Sequence, residues 1–139
     1  MHIYIDSRSS TSIWEQIVQQ VKESIVKGYM TPNDKLPSVR ELSSILVVNP
    51  NTVSKAYQEL ERQGVIETIR GRGTFVSAHF EPKADKQQLT MMKESLKKMI
   101  IEAKYAGVDQ QMLHQWIEEI MEELGGETHA ERTKRDENN

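Results

Sequence analysis

Cysteine is absent from this chain of 139 residues, so neither a disulfide framework nor a thiolate metal site can be built. No apolar run approaches the length of a membrane span, and Met1 is not followed by the basic and then apolar stretch of a secretory leader. A soluble, cytoplasmic protein without a membrane partner is therefore expected. Histidine is sparse, and His2, His79, His114 and His129 lack ligand-like spacing, so no metal and no cofactor is expected. Nucleophile–base pairs and paired carboxylates are missing too. Glu118, Glu119, Glu122 and Glu123 read as the solvated face of a helix, and an enzyme is not expected.

An excess of positive charge is also missing. The formal net charge is −3. It is unevenly spread: residues 1–78 hold nine basic and eight acidic residues, a balance of +1, and residues 79–139 hold nine and thirteen, a balance of −4. A local basic surface in the first part is compatible with contact to a polyanion; net charge alone does not exclude it.

What is present is a run of capped, periodic segments. Ile3-Tyr4-Ile5 reads as a short strand. Ser12 and Glu15 fit a capping box opening a helix whose apolar face is Ile13, Ile17, Val21 and Ile25, with Trp14 and Val18 beside it. Its polar neighbours, Gln16 and Lys22 among them, are expected in water, and Gly28 ends it. After the turn Thr31-Pro32-Asn33-Asp34, Leu36-Pro37 keeps the chain extended. Ser38, with Glu41 three residues on, caps a short helix over 39–46, and Val39, Leu42 and Leu46 face inward. Val47-Val48 makes a turn. Asn49 caps the next helix and Pro50 suits its first position, where no amide donor is needed. Val53, Ala56, Tyr57 and Leu60 form its buried stripe.

Two short helices around a tight turn, the second opening on small polar and basic side chains, are the build of a DNA-reading helix-turn-helix. Asn51, Thr52, Ser54 and Lys55 are then candidates for base or phosphate contact. Lys55 is left between guanine and phosphate. Ser38 reads first as a cap and second as a phosphate ligand, and Tyr57 first as core and second as a phosphate contact. Residues 65–69 and 74–76 read as two strands joined through Arg70-Gly71-Arg72-Gly73, a wing whose glycines allow close approach to a phosphate backbone and whose arginines suit it.

A polar linker over 79–84 follows. Leu89, Met92, Leu96, Met99, Ala103 and Ala106 then alternate at spacings of three and four, a short seam for a partner helix. Asp109 caps a last helix carrying Leu113, Trp116, Ile117, Ile120 and Leu124. Residues 125–139 are expected to be disordered. The fold class is thus mainly α with a small β-wing. A winged helix-turn-helix domain over 1–78 precedes a two-helix region over 85–124.

Three blocks, IWEQIVQQVKESIVKGYMTPNDKLPSVREL, VNPNTVSKAYQELERQGVIET and GRGTFV, resemble the GntR family of bacterial regulators, and more narrowly its small YtrA-like subgroup. Ser12 stands where the family often has proline, and Asn33 where it often has glycine. The resemblance implies a homodimer on a two-fold operator in double-stranded DNA, repressing its own operon, of a transporter type in this subgroup. It implies that Arg40 reaches the DNA, and that the two C-terminal helices serve dimerisation. A small-molecule effector at the dimer interface is left open.

Overall fold

In the computed structural model, residues 1–125 together with 137 and 138 are described. The expected disorder of the tail falls almost wholly outside them. The chain divides into two compact units, Met1–Phe80 and Glu81–Asn139. The first contains α1 (Ile13–Val26), β1 (Lys35–Leu36), α2 (Val39–Leu46), α3 (Pro50–Arg62), β2 (Ile66–Ile69) and β3 (Gly73–Val76); the second contains α4 (Lys86–Tyr105) and α5 (Gln110–Glu123). Among the described residues no helix is long and apolar enough to cross a membrane.

The core of the first unit is aliphatic. Ile17 and Val21 of α1 meet Val53, Ala56 and Leu60 of α3, and Leu36, Leu42, Ile66 and Val76 close it from the strands and α2. Each fully buried aliphatic contributes about 1.5–3 kcal/mol relative to an exposed one. The helix ends follow local chemistry. Ser12 accepts the Glu15 amide at 3.4 Å, but its hydroxyl donates to the Glu15 carboxylate at 2.7 Å, so the reciprocal half of the expected capping box is replaced by a side-chain bond. Ser38 accepts the Glu41 amide at 3.1 Å, and Asn49 Oδ1 accepts the Asn51 amide at 2.8 Å. A complete capping box is at Asp85 and Gln88, at the start of the expected two-helix region, where no cap was read.

Ile3–Ile5 is not a strand. The segment has no strand partner and is held by side chains of α1: Tyr4 N–H donates to Gln20 Oε1 and Gln20 Nε2 donates back to Tyr4 O, at 2.8 and 2.5 Å. Gln16 does not stay in water. It is buried, accepting from Asp6 N–H at 2.8 Å and donating to the carbonyls of Asp6 and Thr11 at 2.9 Å each. A buried amide must satisfy its own groups, and this one does so on the neighbouring main chain.

The expected two-stranded ribbon is part of a three-stranded antiparallel sheet in the order β1-β3-β2. Lys35 pairs with Phe75 and Leu36 with Thr74, while Ile66 pairs with Val76 and Ile69 with Gly73. Asn33, at the turn before β1, has φ 72°, in the left-handed region that glycine or asparagine adopts most easily.

The turn between α2 and α3 carries strain. Val47 has φ 55° and the residue is 88 % exposed. A β-branched residue in the left-handed region is costly, and this side chain recovers little by packing. Val47→Gly is therefore expected to stabilise the domain by about 0.5–1 kcal/mol, the relieved strain exceeding glycine's greater unfolded-state entropy. Chemical denaturation checks this; a lower denaturation midpoint in the variant would contradict it.

In the second unit, Gly107 (φ 81°) ends α4, and Asp109 caps α5 by accepting the Met112 amide at 2.9 Å. Ala103 is buried at this corner, where its carbonyl accepts from Val108 N–H at 2.9 Å. Of the expected seam it is the position already covered within the chain. Leu89, Met92, Leu96 and Met99 are more than half exposed, and Trp116, Ile117 and Ile120 nearly as open.

Candidate nucleic-acid interface

Tyr57 organises the reading head. Its ring is buried against the core, and its hydroxyl donates to Pro37 O at 2.7 Å. Burial and the nearby charge of Glu41 push the phenol well above its ordinary pKa, so it stays a neutral donor. The proton a phosphate would need is already committed. Tyr57 thus ties α3 to the residue just before the α2 cap, in keeping with its first reading as core.

That tie brings the start of α2 beside α3. Ser38 caps α2 and remains exposed, two residues from Arg40. Arg40 is exposed, and among the described residues its guanidinium has no ion-pair partner, not even the neighbouring Glu41 or Asp34. Its five donors are free for a planar, bidentate acceptor.

On α3 the open face begins at Asn51, exposed with its amide capped by Asn49. Thr52 and Ser54 are half-buried at its margins. Gln58 Nε2 donates to Ser54 Oγ at 3.3 Å, which leaves the serine proton available to an acceptor. Lys55 is exposed, and its ammonium lies 4.6 Å from the centre of the Trp14 ring on α1. At the far end of α3, hydrogen bonds from Arg62 and Gln63 hold the Glu59 carboxyl at about 2, and Lys22 donates to Gln63, joining α1 to α3. The lysine expected in water is thus partly buried and paired.

The wing tip is a tight turn closed by Arg72 N–H donating to Ile69 O at 2.9 Å. Gly71 at its third position has φ 80°, which a type II turn requires. Arg70 and Arg72 are both exposed, with no partner among the described residues. Gly73 has φ 123°, and a Cβ there would come within 2.8 Å of Lys35 Cε. Lys35 therefore lies against Gly73 at the base of the wing and adds a third cation to the sheet that carries the two arginines. Sequence reading missed it, because only the pairing of β1 with β3 brings it there.

An open polar helix start, a free arginine on the preceding helix and a cationic turn belong to one compact unit. Residues 13–76 match the family described as bacterial regulatory proteins, gntR family. Over 124 residues, 89 % of this chain and 95 % of the relative, the sequence is 58 % identical to the HTH-type transcriptional repressor YtrA of Bacillus subtilis (strain 168). The chain belongs to the GntR family. It is a DNA-binding transcription regulator and not an enzyme. Among solved structures it is similar to a transcriptional antiterminator from Listeria monocytogenes EGD-e, with 40 % identity, a TM-score of 0.81, and coverage of 91 % of this chain and 95 % of that one. It is also similar to YtrA from Sulfolobus acidocaldarius, a GntR-family transcription factor, with 40 % identity, a TM-score of 0.56, and coverage of 68 % and 97 %. The family's winged helix accounts for the first unit, and the long alignments extend the likeness into α4 and α5.

Proposed function

We propose that this GntR-family regulator is a dimeric repressor of its own operon, reading a two-fold operator with α3 in the major groove and the wing over the adjacent backbone. The observation that carries the reading is the set of unpartnered cations, Arg40 on α2 and Arg70 and Arg72 on the wing, in the same compact unit as the open start of α3. In this reading Asn51 faces base edges, Ser38, Thr52 and Ser54 serve phosphates, and the Arg70–Gly73 tip lies on the backbone or minor groove.

Dimerisation is supported by the second unit. Leu96, Met99, Ile100, Leu113, Trp116, Ile117 and Ile120 line an apolar groove of about 680 Å³. Apolar area of this kind is the usual core of an interface between copies. The charges agree. α4 carries five lysines and two glutamates, whereas α5 carries four glutamates and no lysine or arginine. An α4 from one copy is thus complementary to an α5 from another. Half-sites then lie about one helical turn, ~34 Å, or a multiple of it, apart. An effector, if the protein responds to one, would act at this interface.

A gel shift with the DNA upstream of the chain's own gene tests the reading. Specific retardation is expected, with affinity falling by about 10³–10⁵ between 50 and 200 mM salt if six to ten phosphates are contacted by the pair. Equal affinity for this DNA and an unrelated duplex would instead favour a winged helix used to dock another protein.

A further inference from the structure

We propose that Trp14 is a positioning residue for DNA binding: its ring holds the Lys55 ammonium on the α1 side of α3, where it meets a phosphate and not a base edge. The inference rests on the DNA-binding reading of α3 and assigns α1 a part in it, beside supporting the core and holding the N-terminal segment.

Lys55 lies outside the buried stripe of Val53, Ala56, Tyr57 and Leu60. A lysine in such a place ordinarily samples many rotamers around a flexible four-carbon stem. Here the ammonium has no carboxylate or hydrogen-bond partner among the described residues and sits 4.6 Å from the Trp14 ring centre, within the range of a cation–π contact, for which tryptophan is the strongest side chain. The platform is firm. Trp14 is half-buried in the first turn of α1 and packs against the core. Eight residues further along both helices, Lys22 donates to Gln63, so α1 and α3 run side by side in the same direction. The ring therefore stands at a fixed place on the flank of the reading helix.

A charge held on that flank lies toward the groove wall, which is phosphate, and away from the groove floor, where base edges are displayed. Holding it before DNA arrives removes part of the ordering cost of the contact. Lys55 was open between guanine and phosphate on sequence alone; the ring decides for phosphate. The stack leaves the rest of the ammonium free, so a phosphate adds to it without displacing it.

The full-length protein is compared as wild type, W14F, W14L, K55M and W14L/K55M, on operator and on an unrelated duplex across a salt series, with thermal melts confirming that each variant is folded. W14L keeps apolar bulk and is expected to weaken both DNAs alike by about two- to fivefold, with W14F keeping part of the affinity. K55M is expected to lower the salt slope by about one and to leave base preference unchanged. In the K55M background, W14L is expected to cost nothing more. The proposal is overturned if W14L binds like wild type, if its loss persists without Lys55, if W14F is as weak as W14L, or if either site changes base preference. Wild type that binds no duplex would overturn it together with the DNA-binding reading; wild type that binds while these variants behave otherwise overturns this inference alone.

Discussion

Arg40→Ala is expected to weaken operator binding by about one to two orders of magnitude, the size of one lost bidentate contact. Stability is expected to stay within about 0.5 kcal/mol of the wild type, because nothing in the fold depends on this side chain. Arg40 is exposed on α2, its guanidinium has no partner among the described residues, and beyond the helix's own main-chain bonds its carbonyl only accepts from Ser43 Oγ. A binding isotherm paired with a denaturation curve separates the two effects. Arg40→Lys discriminates the chemistry further: it retains charge but not the planar fork, so partial rescue would indicate a phosphate and no rescue a guanine edge. Unchanged affinity in the alanine variant would remove Arg40 from the interface.

The second large effect is expected from Ile117→Glu. Ile117 is about half exposed and lines the apolar groove of α4 and α5. A carboxylate there would have to be desolvated in a dimer but rests in water in a monomer. It also adds a fifth negative charge to an α5 that already carries four glutamates. The variant is expected to sediment as a monomer. Its operator affinity should fall by about a hundredfold or more, since one reading head loses the effective concentration supplied by its tethered twin. The first unit should keep its secondary structure. A variant that remains dimeric would place the contact on another surface of the chain.

The fold and the site are legible in the sequence to different degrees. The starts of α1, α2, α3 and α5 could be read because a cap is local chemistry: Ser12, Ser38, Asn49 and Asp109 each act within three residues of themselves. Gly71 could be read for the same reason. What escaped were particular contacts across the fold. β1 is two residues long and exists only because β3 pairs with it. Lys35 becomes part of the wing through that pairing, and Trp14 meets Lys55 only because α1 lies along α3. Gln16 was assigned to water by its polarity, although its surroundings bury it. Ile3–Ile5 has the composition of a strand without a partner to make it one.

The two glutamines that grip the N-terminal segment have a consequence for how this protein tolerates change. Gln16 and Gln20 bind main-chain atoms of Tyr4, Asp6 and Thr11, not their side chains. Apart from Ile3 and Ile5, which lean on the core, and Asp6, whose carboxylate accepts the Arg8 amide at 2.9 Å, the first six residues are thus free to drift in identity while the clasp stays closed. Proline is the exception: at position 4 or 6 it would remove the very N–H that a glutamine oxygen accepts.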